Sequence, residues 1–245
     1  GAGLVGLTTA ILAAEAGLSV VLLEAHRLAH GTTGGTTGKV TSQNETRLAT
    51  LQRQFGDRGP QQYTLANERG IALVDELVER HAIDCDHERA PAHLVALHPS
   101  RVAQVEAEAR AARIAGLRVE TSTALDGLDV HPELVLTVPD QRQHHPVRYA
   151  QGLARAVEAT GGSVHETSPV TSVARASSGE RRWAVSTATN RVTADHVVLA
   201  TRLPIGLDRR LLFGRSMPVS AFGVAATIAG DTPRGMYLLQ DADRT

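Results

Sequence analysis

Three glycines spaced as Gly1-x-Gly3-x-x-Gly6 open the chain, and an acid, Glu24, follows eighteen residues after the last of them. Such spacing does its chemistry with backbone. The first glycine makes a tight turn, the second lets the main chain approach a diphosphate, and the third lets the following helix pack closely. The amides at the positive end of that helix, here those of Leu4 and Val5, then hold anionic oxygens. Glu24 closes the next apolar run, Val20 to Leu23, with Ala25 directly after it. A carboxylate at that place accepts hydrogen bonds from ribose hydroxyls and repels a 2′-phosphate. An adenine dinucleotide other than NADP is therefore expected; a glycine-rich turn with an exposed strand-end acid is the plainer alternative.

The elements that must position these residues follow from periodicity. Leu4 to about Ala16 reads as an Ala/Leu-rich helix stopped by Gly17, and Val20 to Leu23 as a strand buried on both faces. Gly31 to Ser42 is too rich in Gly and Thr for a helix and reads as a loop of backbone and hydroxyl donors. Helices are expected over 44–55, 61–81, 99–116 and 146–160, the last stopped by Gly161-Gly162. Strands are expected over 91–97, 117–121 and 134–138, then a β meander from Val164 feeding a buried strand at His196 to Ala200, with Val219 to Ile228 and Met236 to Leu239 beyond. A glycine turn of this type normally follows a buried parallel strand, so a fragment cut at its N-terminus is expected, one that binds its dinucleotide poorly until the strand is restored.

Composition narrows the function classes. The 245 residues are 42% apolar, enough for a substantial core. With 25 basic and 26 acidic groups the net charge is -1, which offers no footprint for nucleic acid. No apolar run reaches the roughly 18 to 20 residues of a membrane span. The single cysteine, Cys85, excludes an internal disulfide and any site built from several thiolates of this chain. A soluble, cytoplasmic protein is expected.

The fingerprint is shared by FAD and NAD sites, and later residues separate them. Ala194-Asp195-His196-Val197-Val198-Leu199-Ala200-Thr201 is a strand and turn about 190 residues after the glycines, with a meander in between; NAD domains usually continue βαβ directly. Together with the glycine turn, the Gly/Thr loop, His145-Pro146, Tyr149, Gly152-Leu153, Gly161-Gly162 and Glu166 to Val170, this resembles the FAD-dependent oxidoreductases of the D-amino-acid oxidase, glycine oxidase and sarcosine oxidase superfamily. The segment GTTGGTTGKVTSQ looks most like a bacterial branch, many members of which carry a C-terminal Rieske iron-sulfur domain.

The resemblance implies an α/β fold: a Rossmann-like FAD-binding domain lacking its first strand, with a β-rich substrate domain incomplete at the C-terminus. Residues 1–90 and 146–204 would form the FAD-binding part, the second with the meander, and 91–145 and 205–245 the substrate part. It implies oxidation of an amine or amino acid by hydride transfer to flavin N5, with FAD as cofactor and a Rieske domain outside this chain as a partner. An NAD-linked dehydrogenase and a truncated, non-catalytic chain are the alternatives. Glu24 would bind ribose, the loop bearing Thr32, Thr33, Thr36, Thr37, Lys39 and Val40 would line the diphosphate and flavin, the Val170 backbone would meet adenine, and Ala200 and Thr201 would close over the cofactor. Two residues depart from the branch: Arg202 stands where glycine is usual, and Asn44 where histidine is.

Other residues have plainer readings. Lys39, the only lysine, could donate to the flavin O2/N1 region or be a solvated loop lysine. The threonines could bond phosphate or simply fill a polar loop. His144 and His145 read as a helix-entry pair rather than ligands. Cys85, between two aspartates, is a poor nucleophile, and Arg27 could stack on adenine or meet solvent.

Overall fold

The computed structural model describes residues 1–177, 182–202, 217, 219, 222–227, 229–230 and 232–240. Two compact units divide the chain: Gly1–Thr37, His81–Cys85 and Pro146–Val224 form one, and Gly38–Arg80, Asp86–His145 and Ala225–Thr245 the other. The first change of unit thus falls at Thr37/Gly38. Among the described residues no helix is long and apolar enough to cross a membrane.

In the first unit, apolar residues recur along α1 (Leu4–Glu15) so that Leu7, Ile11 and Ala14 are buried on one face. That face packs against α5 (Pro146–Ala159), whose Leu153 and Val157 are fully buried. Gly17 at φ 82° and Gly161 at φ 89° end the two helices in the left-handed region, where the absence of a Cβ removes the steric cost. Strand β1 (Val21–Leu23) pairs in parallel with β6 (Ser163–His165), the arrangement a helical crossover produces. The run is not buried on both faces as expected. Leu22 is buried, but Val21, on the opposite side of the strand, is 43% exposed.

In the second unit β3 (Glu88–Ala96) is central, antiparallel to β5 (Leu134–Gln143) and parallel to β10 (Met236–Gln240). The far edge of β5 carries both β2 (Lys39–Val40) and β4 (Glu120–Ser122). The loop reading of Gly31 to Ser42 is corrected at β2, because Lys39 and Val40 find ladder partners in Gln143 and Arg142. Helix α4 (Pro99–Ile114) lies on this sheet, where Val105 and Ala109 meet Leu94, Ala96 and Leu136. Its other side meets α2 (Arg47–Phe55) through Ala111 and Ala112 against Leu48 and Ala49. Helix α3 (Arg58–Arg80) completes the layer. Helix α2 begins three residues later than its periodicity suggests, since Asn44 and Gln43 are engaged in a turn at Thr41 and Glu45 sits at φ 53°.

The meander forms as three antiparallel strands of the first unit, β7 (Ser172–Arg175), β8 (Trp183–Ser186) and β9 (Arg191–Ala194). His196 to Ala200 is not the expected buried strand: it joins no ladder among the described residues, and Val198 and Leu199 are 62% and 44% exposed. A strand assignment needs a paired backbone, which apolar pattern alone does not supply. In the expected strand at Val219 to Ile228, residues 220, 221 and 228 lie outside the described residues, and 222–227 form no ladder among the described residues.

One buried acid holds the second unit's helices together. Glu108 of α4 is fully buried and accepts hydrogen bonds from the Leu48 and Ala49 amides at 3.1 and 2.8 Å, capping the start of α2. Burial outweighs these two bonds and the nearby Arg53 and Arg47 charges, and pushes its pKa up to about 7. Because the folded chain holds this proton more tightly than the unfolded one, stability contributed here falls as pH rises from about 4.5 through 7, by about 3 kcal/mol. Glu108→Gln is expected to flatten that slope. Urea midpoints at pH 5 and pH 8 check this; an unchanged difference between the two would contradict it.

Candidate dinucleotide site

Helix α1 starts at Gly3, which is extended (φ -88°, ψ -178°) and provides no side-chain cap. The first-turn amides of Val5 and Gly6 therefore have no intrahelical acceptor, and the helix presents its positive end to whatever lies beyond. The Leu4 amide donates to Thr33 Oγ1 at 3.2 Å, which fastens the Gly/Thr loop to the turn. A Cβ on Gly6 would stand 1.9 Å from the Gly1 carbonyl oxygen, and one on Gly1 would stand 2.4 Å from that of Ala200. At Gly3 it would meet Thr33 Oγ1 at 3.1 Å. The turn is thus closed by its own first peptide and by a segment nearly two hundred residues away, and both contacts are with backbone that cannot rotate aside.

The acid is fixed with equal care. Glu24 Oε2 accepts from the Ala2 amide at 2.6 Å and Oε1 from the His26 amide at 2.9 Å. Its own backbone continues the β1/β6 pairing, donating to the His165 carbonyl at 2.9 Å and accepting from the Ser168 amide at 2.7 Å. The Gly1 nitrogen donates to the Leu23 carbonyl at 2.8 Å and the Ala29 amide to the Ala2 carbonyl at 3.1 Å. Partial burial acts to raise the carboxyl pKa, but the amides of His26 and Ala2 outweigh it and hold Glu24 below the ordinary carboxylate range. Ionised, with one lone pair of each oxygen spent on an amide, it retains acceptor capacity for a pair of hydroxyls.

Of the residues singled out from sequence, the structure gathers Gly1, Gly3, Leu4, Gly6, Glu24, Thr33 and Ala200 around one turn. Val5 sends its side chain outward, 70% exposed, so only its amide can serve here. Ala25, Thr32, Thr36, Thr37 and Thr201 are exposed, and the hydroxyls of Thr32, Thr36 and Thr37 make no hydrogen bond to the turn among the described residues. Val170 is half-buried just ahead of β7. Lys39 and Val40 belong to β2 of the second unit. Arg202 adopts φ 61°, the region that favours the glycine usual in its place.

Two residues to which the sequence assigns no individual role, Ala29 and Glu166 of the Glu166 to Val170 stretch, also shape this turn. Ala29 is buried at φ 58° and anchors the 26–29 turn to Ala2, while the Glu166 carboxylate accepts from the Leu28 amide. Neither residue type nor spacing signals such roles, which arise from turns meeting across β1 and β6. Asn44 donates to the Tyr63 hydroxyl at 3.1 Å and to the Thr41 carbonyl at 3.2 Å, a structural use of that position. His144 is buried, and its pKa is lowered to about 4 by burial and by the neighbouring His87 and His145. No group of three or more His, Cys, Asp or Glu among the described residues could hold a metal ion.

The cradle fits a diphosphate: glycine is required by contact at Gly1 and Gly6, the helix amides of Val5 and Gly6 are open, and an ionised acid stands beside them. The sequence pattern of the FAD dependent oxidoreductases, the DAO family, matches residues 1–244. This chain belongs to that family. Its cofactor is FAD, which decides the choice that the shared fingerprint left open. Similar to this DAO-family chain is a Bacillus subtilis (strain 168) protein named as a Rieske 2Fe-2S iron-sulfur protein, YhfW, 27% identical over 241 residues, 98% of this chain and 47% of that protein. The gamma-glutamylputrescine oxidoreductase of Escherichia coli (strain K12) is 28% identical over 214 residues, 84% of this chain and 48% of that one. The chain thus spans about half the length of these curated relatives. Among solved structures, glycine oxidase from Geobacillus kaustophilus shares the fold, with a TM-score of 0.63 and 22% identity over 82% of this chain and 53% of that one.

Proposed function

We propose that the protein containing this chain is an FAD-dependent oxidoreductase that removes a hydride from the C–H bond beside an amine, in a small amine or amino acid. The observation that carries this reading is the glycine cradle with Glu24 fixed beside it, in a chain matched by the FAD dependent oxidoreductase family over residues 1–244. The amine preference is supported by the similar gamma-glutamylputrescine oxidoreductase of Escherichia coli. FAD, when bound, supplies the hydride acceptor at N5. The chain's own residues bind and orient it. The amides of Gly3, Val5 and Gly6 hold the diphosphate, Leu4, whose amide is taken by Thr33 Oγ1, shapes the turn, and hydroxyls from Thr32, Thr33, Thr36 and Thr37 lie around it. Glu24 and Ala25 border the ribose, Val170 the adenine, and Ala200 and Thr201 close the turn.

Lys39 and Val40 are assigned to the flavin edge, where a lysine ammonium favours negative charge arriving on the ring. Residues 1–90 and 146–204 are assigned to cofactor binding and 91–145 and 205–245 to the substrate. A Rieske domain elsewhere in the protein is the electron-transfer partner suggested by the Bacillus subtilis relative, and a cytoplasmic location accords with this chemistry.

The purified full-length protein is expected to be yellow, absorbing near 450 nm, an approximate position typical of oxidised flavin, and to bleach anaerobically with a primary amine or amino acid. A colourless protein that takes up no FAD would overturn the reading. Lys39→Met is expected to leave FAD bound but lower its reduction potential and slow bleaching about tenfold, roughly 1.4 kcal/mol of lost stabilisation. Unchanged potential and bleaching would remove Lys39 from the site.

A further inference from the structure

In the second unit a buried arginine pairs with a carboxylate that is itself only partly covered. Arg142 of β5 is 8% exposed, and its guanidinium meets the Asp75 carboxylate of α3 twice over: Nε donates to Oδ1 at 2.9 Å and Oδ2 at 3.1 Å, and Nη2 to Oδ2 at 2.7 Å. Nη1 donates to the carbonyls of Gln141, at 3.1 Å, and Asp140. His87 Nε2 lies 2.7 Å from the same carboxylate. The geometry around Asp140 makes this possible. It sits at φ 57° in a bulge of β5 between the Ala90–Gln141 and Ala92–Val138 rungs, and its carbonyl accepts from the arginine.

In a protein that oxidises amino acids, a buried arginine invites assignment as the anchor for the substrate carboxylate. Here all three guanidinium nitrogens are engaged within the unit, with one carboxylate and two carbonyls, which leaves no bidentate face for a ligand. The commitment is also strong. Burial acts to raise the Asp75 pKa, yet hydrogen bonds from Arg142 and His87 and the charge of Arg142 hold it below the ordinary range.

One ladder partner of Arg142 lies in β2. Strand β2 has two residues, Lys39 opposite Gln143 and Val40 opposite Arg142. Two rungs are a weak hold for an edge strand. The remaining anchors come from the same stretch of β5: the His144 amide donates to the Gly38 carbonyl at 3.1 Å, and the buried Gln141 Oε1 accepts the Ser42 amide at 2.7 Å. Thus consecutive residues of β5 grip the segment around Lys39, and Arg142 ties that stretch to α3.

We propose that Arg142 is a positioning residue: clamped by Asp75, it fixes the two-residue strand β2 and thereby the place of Lys39. The proposal rests on the reading of Lys39 given above. It assigns Arg142 no contact with substrate or cofactor.

The test uses the full-length, FAD-loaded protein with Arg142→Lys, which keeps the charge and loses the fork, and Asp75→Asn, which loosens the same clamp from the helix. Amide hydrogen exchange at Val40 is expected to rise at least tenfold in both, with exchange in β3 unchanged. The flavin potential is expected to shift down in both, in the direction produced by Lys39→Met. Unchanged exchange at Val40 in folded variants overturns the proposal. So does a rise in KM confined to carboxylate-bearing substrates with potential and kcat intact, since that marks a substrate anchor. Should Lys39→Met leave the potential unchanged while both variants loosen β2, the clamp stands and the Lys39 reading fails. If Arg142→Lys does not fold, Asp75→Asn carries the test alone.

Discussion

Gly6→Ala is expected to abolish most FAD binding by the full-length protein, with affinity about a hundredfold weaker and stability lower by about 1–3 kcal/mol. A methyl group at this position would lie 1.9 Å from the Gly1 carbonyl oxygen, well inside contact distance. The obstacle is a peptide, so relief requires either the turn to open or α1 to move away from it. Either movement displaces the amides that should face the diphosphate. Gly35→Ala is the matched control, for its nearest new neighbour would be the Thr32 carbonyl oxygen at 4.0 Å. Flavin content from absorbance, read beside urea midpoints, separates the two variants. Equal flavin content in both would show that the cofactor does not lie on this turn.

Glu24→Gln is expected to weaken FAD binding by about ten- to a hundredfold and to cost about 1–3 kcal/mol of stability. Both groups that reach the carboxylate are donors, the amides of Ala2 and His26. A carboxamide has one oxygen, so its NH2 must face one of those amides, leaving a donor opposed to a donor. The pH dependence carries a sign that a merely steric effect would lack. Glu24 is held below its ordinary pKa, so its contribution is present above about pH 4.5, the unperturbed glutamate range, and disappears as pH falls through the lower folded value. The difference in stability between wild type and variant should therefore narrow in acid. A constant difference from pH 7 to pH 3 would assign the loss to packing instead.

The glycine turn, the helix behind it and the acid after β1 were legible because their signals are local and short. Gly1, Gly3, Gly6, Gly17 and Glu24 lie within one βα unit's worth of chain, and each is constrained by its own φ, by a neighbouring peptide or by an adjacent strand end. The helices α4 and α5 were equally plain from Pro and Gly at their ends, and α3 from apolar spacing, although it begins at Arg58, three residues before the expected Gln61. Legibility ended where backbone pairing decides. Lys39 and Val40 lie in a stretch whose glycines and threonines suggest a loop, and they are a strand only because β5 offers them an edge. His196 to Ala200 has the letters of a strand and joins no ladder among the described residues.

By itself the sequence determined a dinucleotide cradle and an α/β architecture, since each follows from residue types at fixed short separations, while FAD was implied by a family resemblance spread from the glycine turn to Thr201. Tertiary structure decided which residues those signals meet. It brought Ala200 against Gly1, Thr33 to the amide of Leu4, Glu108 to the start of α2 and Asp75 to Arg142. These contacts join positions from about thirty to about two hundred residues apart, and nothing in the spacing of either partner encodes the other. Only the folding of strands and helices into shared cores sets such distances, so a buried charge or a required glycine can be recognised as such only once its neighbour is in place.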